Sequence, residues 1–498
     1  MTSRYFFVYL FLMQVGFLAK VEAQKPITLD LKETVRIAND SSLEAFRVKN
    51  LFLSDYWQYR SFRAGRLPSL TLNLTPVTYN RDIVQRYVSD LDRDVYRMQQ
   101  SFYSYGNLAI KQNFDLTGGT FSIDSELSYL RNFGATTYTQ FSSVPIRIGY
   151  SQSLVGYNAF RWEKKIEPLK YEKAKKELVY NMESVSETAT SYFFALAMAQ
   201  AEHQLAEENL NSCDTLYRMG EQRHQLAAIS KADLLTLKLE MVNAQNNLLS
   251  TASGLKRAMF SLASFLNLPK DTEIGLQLPG KPGQLIITTS EALQRARENN
   301  PNFVEQRQNV LEAQQSLDKT RRQRHFEANV NASIGFNQVS ESLKGSYVQP
   351  MQQDMVSLGL VFPLVDWGIR KGEYNKAKNN LNVVKTAARQ EELSVEEEVL
   401  MTVNDFNIQQ HIVAGAEEAL DLAILAYNET RERFIISKTD ISSLTLAVNR
   451  QQEAQEKYIS ALQNYWAYYY KIRRLTLYDF ELGVPLTDKF EFDLERLK

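Results

Sequence analysis

The sequence predicts a mainly α-helical protein with a smaller set of β-strands, arranged as two copies of one helix–strand–strand–helix unit. The chain of 498 residues contains only 20 glycines and 12 prolines, which leaves long stretches free of residues that interrupt helices. Apolar residues recur about every 3.5 positions through two of these stretches, the period of a coiled-coil seam. Shorter segments alternate apolar and polar residues, as strands with two different faces do.

Matched residues indicate that the chain carries an internal duplication. One constant distance along the chain matches four residues of the first half with identical residues of the second: Glu33 with Glu291, Arg63 with Arg321, Arg66 with Arg324, and Asn73 with Asn331. A second constant distance matches Leu154 with Leu364, Val185 with Val395, and Glu187 with Glu397. Asn73 and Leu154 lie 48 residues further apart than their counterparts Asn331 and Leu364, so the first copy carries an insertion between them.

The N-terminus has the pattern of a secretory signal peptide. Arg4 precedes a mainly apolar run over residues 5–18, and Ala23 with Val21 provides the small residues expected before a cleavage site. The run is shorter than the roughly 20 apolar residues that a spanning helix needs, which favours a cleaved peptide over an anchor. We therefore expect an exported protein.

These patterns predict the following organisation. We expect a signal peptide over 1–23, a first repeat over 24–268, a linker over 269–285, a second repeat over 286–475, and a C-terminal tail over 476–498. In the first repeat the strands are predicted near 69–79 and 144–154, followed by a long helical hairpin over 160–267. In the second they are predicted near 326–338 and 354–363, followed by a hairpin over 367–475.

The predicted strands have one apolar and one polar face. Leu70, Leu72 and Leu74 alternate with threonine and asparagine, and the series Val144, Ile146, Ile148 and Tyr150 is read in the same way. Such strands suit a membrane barrel, with lipid on one side and water on the other, although a half-buried sheet of a soluble protein gives the same pattern. Within the insertion, residues 80–143 contain two more alternating stretches, 108–116 and 121–129. They predict either lengthened strands with an external loop or an added hairpin.

Composition and residue spacing argue against several functions. Lys and Arg total 57 against 58 for Asp and Glu, so the chain lacks the basic excess of a nucleic-acid-binding protein. The single cysteine, Cys213, and four scattered histidines form no metal-binding spacing. No phosphate-binding glycine loop or nucleophile motif is present, so we expect neither an enzyme nor a cofactor.

Local motifs in both copies resemble those of the TolC-like outer-membrane efflux channels. The first helices carry Ala38-Asn39-Asp40 and Asn299-Asn300-Pro301, and the first strand follows Leu67-Pro68-Ser69-Leu70. Two further matches are the strand-to-helix junction over 362–368 and the hairpin turn over 228–235. Each motif is short, but their order and duplication cover residues 27–475.

The resemblance implies the assembly and the function. Each chain would supply four strands, and three chains would close a 12-stranded β-barrel that continues as a long α-helical coiled-coil barrel through the periplasm. The protein would be a homotrimer of the cell outer membrane, in contact with its lipid, with a large periplasmic portion. It would serve as the passive export duct of a tripartite efflux or type I secretion system, together with a periplasmic adaptor (a membrane fusion protein) and an inner-membrane transporter. A periplasmic coiled-coil adaptor or structural protein is the alternative.

The resemblance also places candidate functional residues at the two hairpin turns, which we call the tips. The aspartate of the first tip falls on Asp233, whereas the usual aromatic and arginine of the second tip fall on Phe434 and Thr439. Because neither provides the usual donor, we expect Lys438 to contact Asp233 and to help close the periplasmic entrance. A second candidate set consists of four arginines where helices meet strands. They either interact favourably with the dipoles of the helix ends or form a basic collar at the periplasmic lipid interface. The four are Arg63, Arg66, Arg321 and Arg324.

Overall fold

The computed structural model describes residues 27–133, 137–226, 229–436 and 438–487. The predicted signal peptide, the tip residues Ala227 and Ser437, and the end of the C-terminal tail lie outside these ranges.

The described helices form two matching series of four. Each series consists of an 11-residue helix, a helix of 22 or 23 residues, a helix of 67 residues and a return helix of 35 or 36 residues. The nearly equal lengths agree with the predicted duplication. The helices are α1 (Leu31–Ser41), α2 (Leu43–Ala64), α3 (Ala159–Gln225), α4 (Lys231–Phe265), α5 (Thr289–Asn299), α6 (Pro301–Gln323), α7 (Ile369–Ile435) and α8 (Ile441–Thr476).

Capping residues fix where several helices begin. The Asp30 carboxylate accepts a hydrogen bond from the Glu33 amide at the start of α1, and Asn300 accepts one from the Asn302 amide at the start of α6. Proline follows Asn300 at the first helical position, where its missing N–H group costs nothing. These caps satisfy amide groups that have no partner inside the helix.

Six strands form one antiparallel sheet, in which each strand pairs with the next along the chain. Short strands elsewhere make two small pairs, one of them parallel between β1 and β6. The strands are β1 (Ile27–Leu29), β2 (Ser69–Val88), β3 (Arg93–Asn113), β4 (Thr120–Phe133), β5 (Thr137–Ser153), β6 (Ile274–Leu276), β7 (Glu327–Ser340), β8 (Met351–Val361), β9 (Tyr478–Asp479) and β10 (Val484–Pro485). The sheet has the order β2-β3-β4-β5-β7-β8.

The prediction of four strands per chain is wrong, because the described residues form a sheet of six. The two alternating stretches of the insertion form β3 and β4, and β2 extends beyond its predicted end near residue 79 to Val88. The structure therefore combines lengthened strands with an added hairpin. The turn between β3 and β4 is tight at Gly118, whose φ of +76° suits glycine. A Cβ atom at this position would lie 2.8 Å from Asn158 Cγ.

A bulge in β5 also changes one predicted face. Asp124 pairs with Arg147, whereas Glu126 pairs with Val144, so β5 has one extra residue between these pairs. Pro145 lies in this bulge, where the absence of its N–H group leaves no ladder bond unmade. Val144 thus lies on the same face as Glu126 and is buried, not on the face of Ile146 and Ile148 as the simple alternation suggested.

The described residues divide into two compact units. The strand unit comprises Asn50–Leu178 and Arg297–Glu398, and the hairpin unit comprises residues up to Lys49 together with Val179–Ala296 and residues from Val399 onward. In the strand unit, the rings of Tyr59 and Tyr171 stack at 4.4 Å. In the hairpin unit, the predicted apolar seam of α3 is buried at most positions, although Tyr192 is exposed and Phe193 and Phe194 are buried instead.

Arg473 anchors β9 inside the hairpin unit. Its guanidinium makes two 3.0 Å hydrogen bonds to the Glu183 carboxylate on α3 and lies 3.0 Å from Asp479 in β9. Burial of the neighbouring Tyr470 raises the pKa of its hydroxyl to about 12. Because the ionic side chains are withdrawn from water, loss of one partner leaves a poorly compensated charge in the core.

We expect Glu183→Ala to lower the free energy of unfolding by about 3 kcal/mol, near the lower end for a broken buried pair because Asp479 remains beside Arg473. Thermal or chemical unfolding in detergent measures the loss. Glu187→Ala, which removes the more exposed partner of Arg474, is the matched control and should cost clearly less. Equal losses from the two variants would contradict the anchoring role.

Candidate functional site

The first tip places Asp233 in a capping box at the start of α4. The Ser230 hydroxyl accepts a hydrogen bond from the Asp233 amide, and the Asp233 carboxylate accepts bonds from both the amide and the hydroxyl of Ser230. Such a box satisfies two amides that would otherwise lack partners. The local sequence therefore gives Asp233 a structural role at the helix end.

The second tip uses a similar device at Asp440. Its carboxylate accepts a hydrogen bond from the Ser443 amide. Hydrogen bonds from the side chain and the backbone of Ser443 stabilise the charged carboxylate and lower the pKa of Asp440. Phe434 is buried and Thr439 is half-buried, while Lys438 is exposed. The Lys438 amide donates to the Arg433 carbonyl at 2.8 Å, which closes the end of α7.

A direct polar contact joins the two tips. The Arg223 guanidinium, near the end of α3, donates a 3.0 Å hydrogen bond to the Ile435 carbonyl in the last turn of α7. That carbonyl has no partner within its own helix, and the helix dipole makes this end electronegative. The sequence motifs assigned no role to Arg223. Its position in the last turn of a long helix was the one signal for this role.

Within the described residues, Asp233 forms no ion pair with Lys438 inside the chain, because the carboxylate is directed toward Ser230. Contact between Asp233 and Lys438 of neighbouring chains stays a prediction.

The four collar arginines differ in their surroundings. Arg66 pairs with Asp115 in the turn between β3 and β4, donates to the Phe160 carbonyl at 2.9 Å and lies over the Phe62 ring. Arg324 lies over the ring of Tyr374, 5.0 Å from its centroid. Arg63 and Arg321 are exposed in the last turns of their helices, where a cation is favourable. The structure thus gives Arg66 the additional task of holding the added hairpin.

The six-stranded sheet has an apolar face that is largely exposed in the single chain. One row of side chains crosses five strands in register: Leu70, Ile110, Ile123, Ile148 and Ile334. Leu72 and Leu358 lie on the same face and are 60% and 59% exposed. A surface of this size and polarity indicates contact with lipid or with another apolar partner.

The opposite face of the sheet is polar. It carries Asn73, Asn107, Glu126 and Arg147 on four consecutive strands, and Asn331 on β7. The alternation of an apolar with a polar face, clearest along β2 and β7, is the pattern of a membrane strand that separates lipid from water.

Among the described residues, no helix is both apolar and long enough to cross a lipid bilayer. In the same part of the chain, no group of three or more histidine, cysteine or carboxylate side chains is arranged to hold a metal ion.

Comparison with known proteins identifies a family match in the second copy. The family described as outer membrane efflux protein matches residues 292–476, which span the second copy from α5 to the end of α8. These residues form an outer membrane efflux protein domain.

Solved structures with the same fold include outer-membrane proteins and channels. The chain is similar to the outer membrane protein VceC of Vibrio cholerae, with 13% identity, 90% of this chain and 95% of that chain covered, and a TM-score of 0.62. The Campylobacter jejuni CmeC outer membrane channel has 12% identity, coverage of 90% and 85%, and a TM-score of 0.65. The Neisseria gonorrhoeae MtrE outer membrane channel has 14% identity, coverage of 90% and 89%, and a TM-score of 0.58. No curated protein matches the chain by sequence.

We expect Arg223→Ala to loosen the contact between the tips. The bond is exposed and contributes about 1 kcal/mol at most, so the open probability should rise by up to about fivefold. Single-channel recording in planar bilayers measures it. Arg218→Ala is the control, because Arg218 pairs only along its own helix with Asp214. An Arg223→Ala channel that opens as the parent does would place the closing contact elsewhere.

Proposed function

We propose that this outer-membrane efflux channel is the passive export duct of a tripartite efflux or type I secretion system, spanning the outer membrane and the periplasm. The observation that carries the proposal is the six-stranded sheet with one exposed apolar and one polar face, in a chain whose second copy matches the outer membrane efflux protein family. A duct of this kind moves cargo without covalent chemistry. Its energy would come from an inner-membrane transporter, to which a periplasmic adaptor would connect it.

The sheet edges support assembly into a closed ring. β2 and β8 each pair on one side only, and every residue of β8 is exposed in the single chain. An unpaired strand edge cannot lie in hydrocarbon, because each unsatisfied backbone group costs several kcal/mol there. Pairing of β2 with β8 of a neighbouring copy satisfies both edges at once.

The strand number changes the expected dimensions of the ring. With six strands per chain, the trimer that we propose has 18 strands in place of the 12 expected from the resemblance. Because barrel diameter grows roughly linearly with strand number, the lumen is about 1.5 times as wide as that of a 12-stranded barrel. The added hairpin, β3 and β4, provides the difference.

The same sheet weighs against the alternative of a periplasmic adaptor. A water-soluble adaptor would have to cover the apolar row of Leu70, Ile110 and Ile148, since exposed patches of this extent lead to association.

We predict that the protein purifies in detergent as a trimer that resists SDS, since ring closure buries both edge strands. Native mass spectrometry of the detergent complex measures the stoichiometry. A folded monomer that stays stable in detergent would contradict the duct.

We further predict that Leu72→Arg prevents outer-membrane insertion, because a lipid-facing arginine near the bilayer midplane costs roughly 2–4 kcal/mol. Asn73→Arg, on the adjacent polar face, is the matched control and should insert normally. The measurement is the yield of heat-modifiable protein in outer-membrane fractions. Equal yields from the two variants would mean that β2 does not face lipid.

A further inference from the structure

A pocket lies where the first copy passes from the sheet to its long helix. It has a volume of about 360 Å³ and is bordered by the turn between β3 and β4, the end of β5, the start of α3 and the last turns of α6. All of these elements belong to the strand unit. The charged and aromatic side chains of its lining are Tyr157, Arg161, Trp162, Lys165, Asp318 and Arg322.

The pocket continues the apolar face of the sheet. Along β5, the side chains of Ile148, Tyr150 and Gln152 lie on the same face, two residues apart. Ile148 belongs to the exposed apolar row, whereas Gln152 lines the pocket and donates a 3.1 Å hydrogen bond to the Thr117 carbonyl. The order along the strand is therefore apolar, then aromatic, then polar. Membrane proteins have this order where the hydrocarbon gives way to the lipid headgroups.

One carboxylate holds two side chains of the pocket wall in place. Asp318 on α6 accepts a 3.0 Å hydrogen bond from the Trp162 indole and another 3.0 Å bond from Nε of Arg322. Nη1 of Arg322 also donates to the Gly156 carbonyl at 3.4 Å. The Trp162 ring is thus fixed as a flat surface, and Nζ of Lys165 lies 5.1 Å from its centroid.

Two cations of the pocket remain available to a ligand. Among the described residues, neither Arg161 nor Lys165 forms an ion pair, and both side chains are exposed. The lining as a whole contains three cations and one carboxylate, which leaves an excess of two positive charges. The first turn of α3 adds the positive end of a helix dipole.

The charged groups around the pocket do not cancel this excess. Arg66 and Lys164 both pair with Asp115, and Glu163 lies within electrostatic range of the pocket at Tyr157. These neighbours contribute two cations and two carboxylates, so their net charge is zero. Glu327, at the start of β7, has the register of the polar face and lies on the other side of the sheet.

We propose that this pocket binds the phosphate of an anionic phospholipid from the periplasmic leaflet of the outer membrane. Arg161 and Lys165 donate to the phosphate, with which such cations form strong, charge-assisted hydrogen bonds. The Trp162 ring packs against the glycerol backbone, and the acyl chains follow the apolar face past Tyr150 and Ile148. The inference rests on the proposed function, because a headgroup reaches the pocket only if this face lies in the bilayer.

The strand order leaves the pocket open in the proposed ring. Copies would pair through β2 and β8, whereas the pocket lies at the ends of β3, β4 and β5, which are inner strands. The second copy of the repeat has a different lining. At the corresponding positions of α7, Gly372 replaces the tryptophan and Asn375 replaces the lysine. We therefore expect one lipid site per chain.

Native mass spectrometry of the purified full-length protein, delipidated in detergent and titrated with phosphatidylglycerol, tests the proposal. We expect one tightly bound phosphatidylglycerol per chain and no comparable binding of phosphatidylcholine, whose headgroup has no net charge. The double variant Arg161→Gln/Lys165→Gln should weaken this binding about tenfold or more, because it removes both free cations. The double variant Arg161→Lys/Lys165→Arg keeps the charge and should bind within about twofold of the parent.

The double variant Lys371→Gln/Lys376→Gln is the matched control, since it removes two exposed cations from the start of α7. It should bind phosphatidylglycerol as the parent does. An equal loss of binding in the two glutamine double variants overturns the site, and so does equal binding of phosphatidylcholine by the parent. Binding of inorganic phosphate as tight as that of the lipid would identify a site for free anions and would overturn the lipid as its occupant.

A second set of measurements covers the case in which the double variant fails to assemble. Arg161→Gln and Lys165→Gln, measured singly, then provide the same test with smaller losses of affinity. Absence of the parent protein from outer-membrane fractions would overturn the proposed duct. An inserted, conducting parent without any preference for the anionic lipid would overturn only the pocket, so the two failures are distinguishable.

Discussion

Backbone hydrogen bonding in a medium without water is the constraint on which the rest of this structure depends. Hydrocarbon offers no partner for an N–H or C=O group, so a sheet with two free edges is incompatible with lipid contact unless another strand covers each edge. In this chain the edges belong to β2 and β8, and the four strands between them are paired on both sides. If the sheet lies in lipid as proposed, the apolar face and the edges thus impose the same requirement, which is association with further copies of the chain.

The helices of the two copies repeat the same order with nearly the same lengths. Both 67-residue helices are followed by a return helix that begins at a side-chain cap, Ser230 in one copy and Asp440 in the other. The copies differ where they meet, because Arg223 of the first binds the end of α7 in the second. At the other end of α8, the ionic bonds of Arg473 to Glu183 and Asp479 hold α8 and β9 to α3.

The added hairpin distinguishes the two copies in the sheet. It widens the sheet by two strands, places an ionic cluster on the polar face and attaches its turn to Arg66 through Asp115. All three consequences follow from one insertion. Two strands added as a hairpin preserve the alternating strand directions of an antiparallel sheet, so the pairing of the other strands is not disturbed.

The sequence by itself determined the helix series and the alternating strands, because periodicity and capping are local properties of consecutive residues. It identified the segments around Leu108 and Phe121 as alternating but left their pairing open, since alternation does not say which strand lies beside which. Only the tertiary structure decided that these segments join the sheet, that the bulge at Pro145 turns Val144 to the polar face, and that Arg147 bridges Asp124 and Glu126. The same holds for Arg223 and Ile435, which are far apart in sequence. Such contacts depend on strand register and helix packing. The local sequence around each residue therefore does not identify its partner.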